Sequence, residues 1–108
     1  MDVLNKVPVR EQDPKVRATN FEEVCYGYNE EEAVAEASRC LNCKNARCVQ
    51  GCPVKIDIPA FVKEVKEGNY AEAAKVIGKS SALPAVCGRV CPQESQCEGQ
   101  CVRGIKGE

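Results

Sequence analysis

Eight of the nine cysteines in this 108-residue chain fall into two runs, Cys40-x2-Cys43-x4-Cys48-x3-Cys52-Pro53 and Cys87-x3-Cys91-Pro92-x4-Cys97-x3-Cys101. No other feature limits the fold as strongly. Leu, Ile, Val and Phe together number 23 and Trp is absent, close to the roughly 20% level below which chains tend to stay unfolded. A core of side chains alone is therefore thin, and a covalent or metal staple is expected, as in other small scaffolds.

Three staples use cysteine: disulfides, zinc and iron–sulfur clusters. A secreted disulfide scaffold would carry a signal peptide, but the opening Met1-Asp2-Val3-Leu4-Asn5-Lys6 has no apolar stretch, so a cytoplasmic location is expected. Structural zinc favours paired Cys-x2-Cys knuckles and often His, and this chain has one x2 spacing and no His. The first run matches, with a longer middle gap, the pattern Cys-x2-Cys-x2-Cys-x3-Cys-Pro, in which three thiolates hold one cubane and the fourth holds another. The spacing thus favours two [4Fe–4S] clusters, with a zinc-stapled interaction module as the alternative of a different class.

A cubane takes thiolates from tetrahedral directions. Cys40 and Cys43 wrap one corner on a tight turn, Cys48 returns from a small loop, and Cys52, about one helical turn further on, points away. The same logic makes Cys97 and Cys101 a pair that straddles both clusters. The expected ligands are Cys40, Cys43, Cys48 and Cys101 for cluster one, and Cys52, Cys91 and Cys97 for cluster two, with Cys87 as the candidate fourth. Neither run completes a cluster alone, so cluster assembly and folding are expected to be one event. Cys25, outside both runs, is expected to be a buried free thiol. Gly51, Gly88 and Gly99 adjoin ligands, where a missing side chain would let N–H groups approach sulfur. Lys44, Arg47, Arg89 and Arg103 are expected to be mainly solvated charge.

Residues 1–20, with Pro8 and Pro14, lack periodicity and predict an extended arm or docking segment; residues 21–108 form the cluster domain. Phe21, Tyr26 and Tyr28 are expected in the core. Asn29 and Glu32 form a capping box opening a helix through Ala33, Val34, Ala37 and Leu41 that carries Cys40 at its C-terminal end. Asp57-Ile58-Pro59 opens a second helix running to Gly68. Asn69 caps a third, stopped by Gly78, and Ser80, Ser81 and Pro84 follow in a loop. Strand signals are weak, which predicts an all-α fold.

A net charge of −1 with interspersed signs gives nucleic acid no basic face, and no run reaches the roughly 18 apolar residues of a membrane span. Gly99 to Gly104 has P-loop glycine spacing, but Ile105 stands where Lys is required. With no His and no Gly-x-Gly-x-x-Gly, no catalytic site of the chain's own is expected.

Arg39-Cys40-Leu41-x-Cys43-x4-Cys48-x3-Cys52-Pro53-x3-Asp57-Ile58-Pro59 and Leu83-Pro84-x3-Gly88-Arg89-Val90-Cys91-Pro92-Gln93-x3-Cys97-Glu98-Gly99-x-Cys101 resemble the N-terminal iron–sulfur domain shared by the glutamate synthase small subunit, dihydropyrimidine dehydrogenase and the NADPH-dependent ferredoxin oxidoreductase large subunit. The resemblance covers about residues 20–108. It implies an α-helical ferredoxin fold with two [4Fe–4S] clusters, relaying electrons between the FAD of a following NADPH-binding domain and a flavin or cluster in a partner, such as the large flavin-containing subunit of glutamate synthase. It also implies that this chain is one domain of a larger flavin-dependent oxidoreductase. For cluster two it offers an alternative to Cys87: a Gln or Glu further downstream than Glu108.

Overall fold

Residues 5–106 are described in a computed structural model of the chain. Helix α2 (Glu30–Ala37) begins where the Glu32 amide donates to the Asn29 side chain at 2.8 Å and the Asn29 amide donates to the Glu32 carboxylate at 2.9 Å. This reciprocal cap, with Glu30, Glu31 and Glu32 at the positive end of the helix dipole, is the one expected from the sequence. A short helix α3 (Arg47–Gly51) follows. Helix α4 (Ile58–Lys66) starts at Asp57, whose carboxylate accepts the Ala60 amide at 3.3 Å, with Pro59 in the first turn.

The chain reverses at Gly68, whose φ of 80° suits a residue without Cβ, and enters α5 (Tyr70–Gly78). With so short a connection α4 and α5 pack as a helical hairpin, and α2 lies against α4. Asn69 holds the cap position of α5 but does not cap it: its side-chain amide donates to Glu64 Oε2 at 3.2 Å, tying it back to α4.

Where a loop was expected after Ser81, the chain forms α6 (Pro84–Val90). Pro84 has no amide to leave unsatisfied in a first turn, so it starts this helix. Two 3₁₀ turns, Gln93–Ser95 and Glu98–Gln100, and a last helix α7 (Val102–Lys106) complete the second half.

The fold is mostly helical but not wholly so. Strand β1 (Arg10–Glu11) pairs antiparallel with β2 (Cys25–Gly27), flanking the four-residue helix α1 (Pro14–Arg17). The N-terminal stretch is laid along α2: the Val7 amide donates to Glu36 at 2.8 Å, Arg10 pairs with Glu32 at 3.1 Å, and the Tyr28 hydroxyl donates to the Val7 carbonyl at 2.6 Å. Lys6 reaches Glu98 at 2.8 Å, and this hydrogen bond holds its ammonium pKa above the usual value. The expected aromatic core is not found. Phe21, ahead of β2, is fully exposed, and Tyr26 is 63% exposed on a ladder of two and three residues that has no second layer to pack on.

Among the described residues the buried apolar side chains are Ala37 and Ala73, and no large side chain is fully buried. The accessible surface is 7783 Å², against about 5,900 Å² for a folded monomer of this mass. Polypeptide packing alone leaves the interior thin, and seven of the nine cysteines are partly buried.

Candidate metal centre

Both runs end in the same Cys-x3-Cys half-unit, and these two halves pack together. Cys48 lies in α3 and Cys52 caps its C-terminal end; Cys97 and Cys101 flank the 3₁₀ turn Glu98–Gln100, and α3 packs on that turn. The approach is so close that a Cβ on Gly51 would stand 2.5 Å from the Gln96 carbonyl oxygen; within the second run, one on Gly99 would stand 2.5 Å from the Glu94 carbonyl oxygen of the preceding 3₁₀ turn. These glycines therefore serve contact between backbones rather than the approach of N–H groups to sulfur. A Cβ on Gly88 would meet nothing within 4 Å, so no backbone contact requires glycine there.

The leading halves differ. The helix expected to run through Leu41 stops at Ala37, so Cys40 lies on the loop beyond α2, and the Asn42 amide donates to Cys40 Sγ at 3.4 Å. Asn42 does so from φ 52°, a left-handed conformation that Asn tolerates better than most residues. Cys43 stands exposed on this loop. Cys87 instead sits inside α6 and Cys91 caps it, with the Cys91 amide donating to the Cys87 carbonyl at 2.9 Å. That spacing of one turn stacks the two side chains on one helix face. Ser81, buried at 7% exposure, brings its hydroxyl to 4.0 Å from Cys87 Sγ.

Electrostatics sorts the thiols across the two runs. Partial burial pushes Cys48 above the ordinary thiol range, against the pull of the Val49 amide, and negative charge on Cys101 and Cys40 pushes it further. Desolvation likewise raises Cys91, and its neighbours acting the same way are Cys87, which also hydrogen-bonds to it, Cys97 and Cys52. Burial raises Cys97 against local amides, and Cys52 adds to the rise. One neighbourhood thus holds Cys40, Cys48 and Cys101, and the other Cys52, Cys87, Cys91 and Cys97. Each draws on both runs.

Cys25 is exposed on β2, with its Sγ 4.0 Å from Glu11 Oε2. The burial expected for it fails for the same reason as that of the aromatics: its ladder is uncovered. Arg89 pairs with Glu23 at 2.6 Å, and that hydrogen bond holds the Glu23 carboxyl below the usual range. Arg103 donates from Nε to the Arg39 carbonyl at 2.8 Å, fastening α7 beside Cys40.

Among the described residues, no three His, Cys, Asp or Glu side chains converge where one metal ion would touch them all. The donor set is purely thiol, and eight partly exposed or exposed thiols in two neighbourhoods suit a soft, sulfur-liganded group. The Gly51 and Gly99 contacts, Ser81 and α6 lay beyond the sequence reading. The Gly51 contact joins residues distant in sequence and has no local signature, whereas Leu83-Pro84 fits either a loop or a helix start.

Residues 17–108 match the family described as dihydropyrimidine dehydrogenase domain II, 4Fe-4S cluster. The chain is 44% identical over 100 residues to the glutamate synthase [NADPH] small chain of Halomonas elongata, covering 88% of this chain and 21% of that protein. It is 42% identical over 98 residues to the Escherichia coli protein of the same name, covering 91% and 21%. It is also 42% identical over 83 residues to an NAD-dependent dihydropyrimidine dehydrogenase subunit PreT homolog of Salmonella typhi, covering 77% and 20%. The chain thus spans about a fifth of the length of the curated relatives it matches. With a family match running through both cysteine runs, the chain belongs to the dihydropyrimidine dehydrogenase domain II, 4Fe-4S cluster family.

Proposed function

We propose that this chain is a two-cluster electron relay. Cluster one is held by Cys40, Cys43, Cys48 and Cys101, and cluster two by Cys52, Cys87, Cys91 and Cys97. The observation that carries the reading is the packing of α3 on the Glu98–Gln100 turn, which brings Cys48 and Cys52 of the first run beside Cys97 and Cys101 of the second. Cys43 joins cluster one through its x2 spacing from Cys40; Cys87, one turn before Cys91 on α6, is the candidate fourth ligand of cluster two, with a Gln or Glu further downstream as the alternative.

Bound there, the clusters would supply one-electron oxidation and reduction. The residues of the chain hold and shield. The α3 contact with the Glu98–Gln100 turn keeps the two Cys-x3-Cys units in register, so that each unit has one thiol for either site. Leu83 at the cap of α6 and Val86 and Val90 within it lie three or four residues from Cys87 and stand exposed. Arg103 and Arg39 tie the end of the chain to the start of the first run.

In the parent protein the relay runs between an FAD- and NADPH-binding domain that follows and a flavin or cluster in a partner, most nearly the large flavin-containing subunit of a glutamate synthase. The same domain of a dihydropyrimidine dehydrogenase or an NADPH-dependent ferredoxin oxidoreductase is the alternative. The relay works in the cytoplasm, where thiolate ligands stay reduced. Among the described residues no helix is long and apolar enough to cross a membrane.

Metal and acid-labile sulfide analysis of the anaerobically purified chain tests this. About eight irons and eight sulfides are expected, the content of two cubanes. Cys48→Ser should lose about half of that iron or more, and Cys25→Ser none. Stoichiometric zinc without sulfide would replace the relay with a zinc-stapled module.

A further inference from the structure

Resting on that two-cluster reading, we propose that the face beside Cys40 is a docking site for an acidic partner protein. A cavity there takes an apolar side chain of the partner, and Lys63 and Lys66 beside it pair with neighbouring carboxylates. The cavity has a volume of about 190 Å³. Ala37, Pro59 and Val62 give it an apolar lining, and Cys40 places it at the first site. Lys63, Lys66 and Glu67 also line it, two cations against one anion. Pro59, Val62, Lys63 and Lys66 recur every three or four residues on α4, so one helix stripe supplies both the apolar lining and the positive charge.

The fold leaves the charge around the first run unbalanced. From Arg39 to Lys66 the sequence has six Lys or Arg against Asp57 and Glu64, although the whole chain has a net charge of −1. Lys44, Arg47, Lys63 and Lys66 are exposed, and among the described residues none of these four is in an ion pair. Lys6, Arg10, Arg17, Lys75 and Arg89, by contrast, each hold a carboxylate. Cations in the last turn of α4 also suit its dipole, but that role leaves Lys44 and Arg47 unexplained. Exposed, unpaired cations beside a redox centre steer an oppositely charged carrier and fix its register. Leu41 and Cys43, exposed on the same loop, extend the apolar surface at the first site. The apolar lining favours a protein over a nucleic acid, whose phosphate backbone has nothing to place in it.

Stopped-flow oxidation of the reduced, cluster-loaded full chain tests this with two carriers, an acidic flavodoxin and a basic cytochrome c. Each takes one electron from the chain. The flavin also takes a proton from water to form its neutral semiquinone, and the haem iron goes from ferric to ferrous. The net charge of −1 by itself predicts that added salt speeds transfer to flavodoxin. The docking face predicts that salt slows it and speeds transfer to cytochrome c. Lys63→Glu combined with Lys66→Glu should slow transfer to flavodoxin about tenfold at low salt, with iron content and paramagnetic signals as in wild type. Lys15→Glu combined with Lys79→Glu, the same charge change on α1 and at the end of α5, should not. Val62→Phe, which fills the cavity, should slow the transfer and leave its salt dependence unchanged. Equal rates in the two iron-replete double variants, or salt-accelerated transfer to flavodoxin, would overturn the docking face while leaving the clusters standing. Inhibition of that transfer by a short DNA duplex but not by polyglutamate would replace the protein partner with nucleic acid. A chain without iron and sulfide would instead overturn the relay reading on which the site rests.

Discussion

The trailing halves of the two cysteine runs are near copies, while their leading halves are built differently. Cys48 and Cys52 bracket one helical turn, Cys97 and Cys101 bracket another, and the two halves are pressed together at Gly51. Cys40 and Cys43, by contrast, sit on an irregular loop held by a left-handed Asn42, whereas Cys87 and Cys91 ride on α6. The paired half is the shared scaffold, where each run hands a thiol to the other. The unpaired half is where the two sites acquire different surroundings.

Breaking the shared half should have the largest effect. Gly51→Ala would put a methyl group 2.5 Å from the Gln96 carbonyl oxygen, and neither backbone can yield cheaply. A loss of about 3 kcal/mol is expected from such overpacking, enough in so small a fold to abolish iron retention. Gly88→Ala, with open space around it, should leave iron content intact and raise helix stability by about 0.5–1 kcal/mol. Thermal unfolding and iron content of the two proteins side by side measure the contrast.

The leading halves should respond more mildly. Asn42→Val, a β-branched residue at φ 52°, should cost about 1–2 kcal/mol and loosen the first site, while Asn42→Gly should be tolerated. Smaller still is the pH effect in the cluster-free chain. Cys48, Cys91 and Cys97 are raised above the ordinary thiol value of 9.0, so in the folded chain they resist ionisation. Their contribution is fully present below the unfolded thiol pKa and is lost as pH rises through the folded values. Denaturant midpoints of the cluster-free chain should therefore fall above about pH 9, and those of the loaded chain should not, since ligand thiols are already ionised.

Much of this was legible in residue order. The Asn29–Glu32 capping box, the Asp57-Ile58-Pro59 helix start and the reversal at Gly68 are local devices, and each stands where it was expected. What escaped is non-local or outweighed. Leu83-Pro84 reads equally as loop or helix start, and only the following seven residues settle it as helix. Phe21 and Tyr26 have core-type side chains, but whether anything covers them depends on a layer that the sequence does not announce. Gly51 and Gly99 look like partners of sulfur until the opposing carbonyls of Gln96 and Glu94 are seen.

The central claim is that the runs exchange their last ligands, and Cys101→Ser tests it most directly. Its residual paramagnetic signal after reduction should match that of Cys48→Ser, because both proteins lose the first centre and keep the second. A Cys101→Ser signal that instead matches Cys97→Ser would mean that each run builds its own centre, and the exchange would be contradicted.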